Sequence, residues 1–217
     1  RGSIDVKGTG APVLTIAEGT QLQFEAGEWI EVGDGEDGGL IVAGTPANPV
    51  RLGAEADRWR GVVFRERALG GSRIDNAIIS KGGQTGFSVR GCVTVVNTPT
   101  GRVTVTNSTF VECMQSGVAA TESNTFSFAG FSANTFDTSE AGVWLNAETV
   151  GSVEDGQTYT NTASNRIAGD PVVSSATWVA QGVPYRVDGS IDVRGPADPV
   201  LTINGGVTLQ FEDGEWL

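Results

Sequence analysis

Five carboxylates are the residues whose type could cleave a glycosidic bond, and they lie near the two ends of the chain: Asp5, Glu25, Asp188, Asp192 and Glu212. Two carboxyl groups on either side of such a bond can act as acid and base, or as acid and nucleophile. Asp192 follows Asp5 by 187 positions, and Glu212 follows Glu25 by the same interval. Recurrence at a long period indicates solvated strand faces rather than one shared pocket. We therefore predict no catalytic residues.

A second candidate for chemistry is the acidic run DGEDGG at residues 34–39. Carboxylate oxygens on a glycine-rich loop are suitable ligands for Ca²⁺. The spacing does not match an EF-hand, and the nine-residue Gly- and Asp-rich calcium repeat is missing. An acidic turn is the simpler interpretation, and calcium binding at Asp34–Asp37 stays open. We predict no metal site and no cofactor.

The remaining reactive residues allow little else. Histidine is absent, which removes the most common general base and the most common transition-metal ligand. The two cysteines, Cys92 and Cys113, are either buried free residues or one disulfide, and both alternatives stay open. Five tryptophans could stack on sugars or pack in the core or at corners, and we favour core or corner packing: Trp29, Trp59, Trp144, Trp178 and Trp216.

The charge and hydropathy of the chain limit its partners. Its 14 basic and 26 acidic residues give a net charge of −12. Nucleic acid is therefore excluded as an expected partner, because phosphate contacts need clustered Lys and Arg. No run of apolar residues is long enough for a membrane-spanning helix. We expect neither a nucleic-acid partner nor a membrane span.

The elements that position these residues follow from a long internal repeat. Residues 189–217 align with residues 2–30 without a gap and are identical at 19 of 29 positions. The chain thus contains one period of 187 residues and the first part of the next. We predict one full unit at 1–188 and the start of a second unit at 189–217 that continues the same architecture.

A shorter repeat predicts what that architecture is. The six-residue runs at 74–79, 105–110 and 131–136 (IDNAII, VTNSTF and FSANTF) begin and end with apolar residues, at intervals of 31 and 26. We attribute the longer interval to a hairpin-like excursion near 91–102. Short alternating strands separated by Gly, Pro, Asn and Ser fill the rest of the chain, including predicted strands at 86–89 and 126–131. Coils of about 25 residues that stack on one another form a parallel β-helix, or β-solenoid. We predict an all-β fold of this kind, with seven to eight coils.

The order of these motifs along the chain carries a resemblance. PVLTIAEGTQLQF, GGLIVAGTPANPVRL, RWRGVVF, the N-x-T-F runs and TWVAQGVPYRVDGSIDV follow one another over essentially the whole sequence. This order resembles the right-handed parallel β-helix repeats of large secreted or surface bacterial proteins, which include giant adhesin-like proteins. The resemblance implies a right-handed coil and an extracellular or cell-surface location. The best-known enzymes on this fold are polysaccharide lyases and hydrolases, so the resemblance also raises that activity. It is the weakest alternative, because the candidate carboxylates recur at the repeat period.

These observations lead to a structural hypothesis. We expect an uncapped solenoid segment of an extracellular fibre or surface stalk, with copies of itself stacked end to end in one chain or between subunits. A carbohydrate- or surface-binding adhesin module with surface glycans as partners is the alternative. The predicted stacking interface consists of apolar residues at both tips: Ile4, Val6, Val13, Leu14, Ile16, Val200, Leu201, Ile203, Leu209 and Phe211.

Overall fold

The computed structural model describes residues 2–84, 90–122 and 126–217. Within these residues the chain forms 22 strands, numbered in chain order, and one helix of four residues, α1 (Ala147–Val150). Every strand pair is parallel. The prediction of an all-β parallel β-helix is confirmed.

The strands form three long sheets and one short sheet. Sheet A contains, in spatial order, β1 (Ile4–Val6), β4 (Trp29–Val32), β7 (Gly61–Phe64), β10 (Gly91–Val95), β13 (Ser116–Ala120), β16 (Ser139–Leu145), β18 (Thr162–Ile167), β20 (Tyr185–Val187) and β22 (Leu209–Phe211). Sheet B contains β2 (Val13–Ala17), β5 (Gly39–Ala43), β8 (Ser72–Asp75), β11 (Val103–Thr106) and β14 (Gly130–Ser132). Sheet C contains β3 (Gln21–Phe24), β6 (Val50–Ala54), β9 (Ala77–Ser80), β12 (Thr109–Val111), β15 (Thr135–Asp137) and β17 (Thr158–Tyr159), and sheet D pairs β19 (Ala176–Trp178) with β21 (Leu201–Ile203).

Each of the first five coils visits sheets A, B and C in turn before it returns to sheet A, and the two coils that start at β18 and β20 have a strand of sheet D instead. The nine strands of sheet A therefore mark eight turns of the chain, in line with the predicted seven to eight coils. In-register parallel pairing places equivalent side chains about 4.8 Å apart, so like residues stack in columns. Val62, Val93, Val118 and Val143 form one such column and are completely buried.

The six-residue runs stack as the sequence predicts. Ile74 pairs with Val105, which pairs with Phe131, and the last residues of the three runs pair in the same way. Each run is two strands rather than one, because its third residue has a left-handed backbone: Asn76 (φ 49°), Asn107 (φ 51°) and Ala133 (φ 54°). Asparagine tolerates this conformation better than most residues. These residues therefore form the corner between sheets B and C.

Buried side chains complete the hydrogen bonding at this corner. The hydroxyl of Ser108 accepts a hydrogen bond from the Ala77 N–H at 3.1 Å. The side-chain amide oxygen of Asn134 accepts one from the Ser108 N–H at 3.1 Å. The side-chain amide oxygen of Gln157 in turn accepts a hydrogen bond from the backbone N–H of Asn134 at 2.9 Å. Buried N–H groups need such partners wherever the strand ladder is interrupted. The three side chains thus link four successive coils.

Two predictions about local structure are wrong. The residues from 91 to 95 form β10 between β7 and β13, so no excursion begins there. The longer interval corresponds instead to the connection between β9 and β10, which has ten residues, whereas the connection between β12 and β13 has four. The predicted strand at 126–131 forms a strand only from Gly130, and the one at 86–89 lies outside the described residues.

The two cysteines form a disulfide, which decides between the two alternatives. Cys92 lies in β10, and Cys113 precedes β13 of the following coil. Their Cα atoms are 5.4 Å apart, and both residues are buried in the core. The bridge therefore joins neighbouring coils near the middle of the solenoid.

Candidate functional site

The structure does not bring the five candidate carboxylates together. Asp5 and Glu25 lie in the first coil, whereas the other three lie in the last two coils, at the opposite end of sheet A. Asp5 accepts a hydrogen bond from the Trp29 indole N–H at 2.9 Å. Asp188 contacts Arg166 at 2.7 Å, and Asp192 lies 3.4 Å from Arg194. Asp5 and Asp188 therefore take part in contacts between coils, whereas Asp192 pairs with an arginine of its own segment.

Glu212 shows the electrostatic character of these contacts between coils. Its carboxylate accepts a hydrogen bond from the Arg186 guanidinium, which also lies 3.3 Å from Asp188. The hydrogen bond from Arg186, and then its charge, lower the pKa of Glu212. A general acid for glycosidic cleavage needs a raised pKa. Glu212 is thus held in its ionised form and does not suit that role.

The acidic turn at 34–39 is compensated by cations from neighbouring coils. Lys7 Nζ lies 2.8 Å from Asp34 Oδ2, and Arg67 Nη2 lies 2.8 Å from Asp37 Oδ1. The hydrogen bond from Lys7 lowers the pKa of Asp34. Among the described residues, no group of three or more His, Cys, Asp or Glu side chains is placed to hold a metal ion.

The tryptophans have separate environments. Trp59 is completely buried, stacks on Phe24 with 4.4 Å between ring centroids, and donates its indole N–H to the Ser80 carbonyl at 2.8 Å. Trp144 is 8 % exposed and lies under the guanidinium groups of Arg90 and Arg166. Packing within the protein therefore accounts for Trp59 and Trp144, whereas Trp216 is 55 % exposed.

A lateral groove of about 620 Å³ lies beside α1. Several of its hydroxyl groups already have partners within the protein. Ser152 donates to the Thr149 carbonyl at 2.7 Å, and Ser175 accepts a bond from the Val200 N–H at 3.1 Å. Glu148 accepts a bond from the Val173 N–H at 2.8 Å. The full lining is Thr100, Ser127, Phe128, Glu148, Gly151, Ser152, Val173, Ser174, Ser175, Ala176 and Thr177.

The first coil presents three strand edges at one tip of the solenoid. Strands β1, β2 and β3 are each paired on one side only, with β4, β5 and β6. Of the predicted interface residues in this coil, Val6 and Ile16 are buried and Ile4 and Leu14 are half-buried, because they point toward the core. Val13 is 51 % exposed on the outer side of β2. Unpaired strand edges are templates for pairing with a further strand.

The opposite tip exposes apolar residues whose repeat equivalents are buried. Ile203 is 37 % exposed and Phe211 is 40 % exposed, whereas Ile16 and Phe24 in the first coil are 4 % and 6 % exposed. The first-coil residues are covered because β5 and β6 lie directly above them. Leu201 and Leu209 are half-buried, and Val200, like its equivalent Val13, lies on the outer side.

The sequence prediction omitted part of this tip. Leu217 is 50 % exposed, Trp216 is 55 % exposed and Val193 is 41 % exposed. A signal for Leu217 was present, because its repeat equivalent Ile30 is an apolar residue on a predicted strand. In the structure Ile30 is completely buried between β1 and β7.

Among the described residues, no helix is both long enough and apolar enough to cross a membrane. Comparisons of the chain with protein-family models, with curated proteins and with solved structures gave no match.

Proposed function

We propose that this chain is a segment of an uncapped tandem-repeat β-solenoid that builds an extracellular fibre or surface stalk by end-to-end stacking. The observation that carries the proposal is the contrast between the two copies of the repeated segment. Ile203, Phe211 and Leu217 are exposed at one tip, whereas Ile16, Phe24 and Ile30 are covered by the next coil of their own unit. A further coil of the same pattern is the surface that fits over the exposed residues.

Apolar burial favours this stacking. Full burial of an apolar side chain contributes about 1.5–3 kcal/mol. Since the three side chains at the tip are 37–50 % exposed, covering each of them contributes about 1 kcal/mol. New strand pairs would also satisfy the open edges of β21 and β22, which unstacked solenoids must leave to water. Head-to-tail contacts of this kind need not close, so a filament is permitted by symmetry.

Two further features support the proposal of an extracellular fibre, one through its compartment and one through its surface charge. The Cys92–Cys113 disulfide suits an oxidising compartment. The net charge of −12 favours solubility and disfavours side-by-side association of fibres, because like charges repel. The outer surface would therefore keep neighbouring fibres apart while the tips attract one another.

The length of a chain carrying one additional repeat unit tests the proposal. Seven coils spaced by about 4.8 Å add roughly 35 Å to the solenoid. We expect small-angle scattering to show a rod that is longer by that amount at unchanged cross-section. A chain of unchanged length and larger cross-section would mean that the units fold back on each other and would refute continuous stacking.

Assembly of separate copies is tested with matched substitutions. Phe211→Asp places a charge where the next coil would pack. We expect electron microscopy to find fibres of the unaltered chain and none of this variant. Val200→Asp is the control, because Val200 and its equivalent Val13 both point outward and are more than half exposed. Equal effects of the two substitutions would contradict the proposed interface.

An adhesin module that binds carbohydrate is the second candidate, and the lateral groove beside α1 is the feature that favours it. It ranks lower because hydroxyl groups such as those of Ser152 and Ser175 are engaged within the protein. Binding of the monomeric chain to a glycan array, lost on Ser127→Trp in the groove wall, would support this function. Uronate release from polysaccharide would instead indicate an enzyme.

A further inference from the structure

The second copy of the repeat reproduces the local conformation of the first. The Ser190 hydroxyl donates to the Glu215 carboxylate at 2.6 Å, and the equivalent Ser3 hydroxyl donates to Glu28. The left-handed corner residue has the same backbone angle in both copies, with φ of 48° at Ala11 and at Asp198. The shared sequence therefore forms the same side-chain contact and the same corner in both copies.

The two copies nevertheless occupy different sheets. Strand β3 is the edge of sheet C, whereas its equivalent β22 pairs with β20 in sheet A. Strand β1 is the edge of sheet A, whereas its equivalent segment, 191–193, contacts Val172 through an isolated bridge outside sheet A. Relative to sheet A, the second copy is displaced by one face of the coil.

The lengths of the connecting segments cause this displacement. In the first coil, residues 7–12 join sheets A and B, and residues 18–28, which include β3, lead back to sheet A. In the last coil, residues 188–200 lie between β20 and β21, and only residues 204–208 lead back to sheet A. In the first coil the longer connection therefore leads back to sheet A, whereas in the last coil the longer connection leads away from sheet A.

The end of sheet C shows where this change begins. Its last strand, β17, has two residues, and the coil after it places residues 179–184 between β19 and β20 without a strand. The Tyr159 hydroxyl of β17 lies 3.0 Å from the Gln181 amide oxygen in that segment. Sheet C therefore ends inside the unit, while the bridge at Val193 begins a new face.

We propose that adjoining units exchange sheets at their junction: sheet A of one unit continues into sheet C of the next, and the next sheet A starts on the face that residues 191–193 begin. This inference rests on the proposed end-to-end stacking. Neighbouring units are then related by a rotation about the axis together with a translation. A feature on one face, such as the groove beside α1, would follow a spiral along the fibre.

Engineered cysteine pairs in the full chain test the junction. Arg186 and Gln210 are register partners on β20 and β22, and both side chains are exposed. We expect Arg186→Cys with Gln210→Cys to form a disulfide under mild oxidation, seen as a mobility shift on a nonreducing gel and loss of free thiol. As a control, Gln210→Cys is combined with Gly182→Cys, which lies in the segment over the end of sheet C. Here we expect the thiols to remain free.

The outcomes separate this inference from the proposed function. Bridging of the control pair, or of neither pair in a chain with unchanged circular dichroism, would overturn the exchange of sheets and leave end-to-end stacking open. In fibres, cryo-electron microscopy should find a rotation between successive units, and a pure translation would also overturn the exchange. Failure of the chain to stack at all, with the expected disulfide present, would instead refute the proposed function.

Discussion

The repeat supplies a matched pair of substitutions, Phe24→Ala and Phe211→Ala, in which the same residue of the same motif differs in how much of its side chain is covered. Phe24 is 6 % exposed and stacks on Trp59, whereas Phe211 is 40 % exposed. Truncation of a buried Phe costs about 3–5 kcal/mol. Because over a third of the Phe211 side chain is already in water, we expect its truncation to cost about 2 kcal/mol.

Urea unfolding of the monomeric chain, followed by circular dichroism, measures both losses. We expect the midpoint to fall clearly further for Phe24→Ala than for Phe211→Ala, at an unchanged slope. In assembled material Phe211 should acquire the cover that Phe24 has, so the two losses should converge. Equal losses in the monomer would refute the reasoning, because exposure would then not determine the cost.

Three further predictions concern the core. Replacing both Cys92 and Cys113 by Ala should lower the free energy of unfolding by about 3 kcal/mol, as measured by urea titration, because the unfolded chain regains the entropy that the closed loop removes; an unchanged stability would contradict this. Asn134→Ala should lower the free energy of unfolding by about 1–3 kcal/mol, because it leaves the buried Ser108 N–H without a partner. The control Asn48→Ala, on the surface, should change the free energy of unfolding little. Equal effects of the two substitutions would argue against the side-chain ladder. Burial raises the pKa of the Tyr185 phenol to about 12, and burial also raises that of the other tyrosine. The neutral phenols therefore stabilise the fold fully below pH 10, and this stabilisation is lost as the pH rises toward about 12. Ultraviolet titration should show no tyrosinate near pH 10 in the folded chain and normal titration in urea, and normal titration in both states would contradict the burial.

The sequence predicted the stacked columns because stacking imposes a simple pattern on it. The apolar residues at Ile74, Val105 and Phe131 recur because each lies directly on the one before. The left-handed corner was not predicted as such, although Asn76 and Asn107 are residue types that accept it. Repeated positions are therefore readable from one sequence, since every coil meets the same constraint.

The parts that the sequence did not reveal depend on contacts that do not repeat. Strand β18 was missed because Asn165 occupies an inward position, where it is completely buried and accepts a bond from the Val143 N–H at 3.1 Å. Helix α1 was also missed, although Asn146 caps it by accepting a bond from the Thr149 N–H at 2.9 Å. A polar residue in a core column is recognisable only when its partner on the next coil is known.

The placement of the candidate site was predicted less completely than the fold. Ile16, Ile203 and Phe211 lie on the inward side of strands in the first and last coils, whereas Val13 and Val200 point outward. Alternation along a strand identifies the two faces but does not say which one is inward when both carry apolar residues. The register with the neighbouring coil determines which face of the strand points inward.

The disulfide between neighbouring coils has a mechanical consequence for a stalk. Under tension along the axis, a solenoid can lose its coils one after another from a free tip. The bridge between Cys92 and Cys113 spans 21 positions, so it withholds roughly 70 Å of contour length from such an extension. A stalk built from these units would therefore keep one locked segment per unit, which lengthens only after reduction of the disulfide.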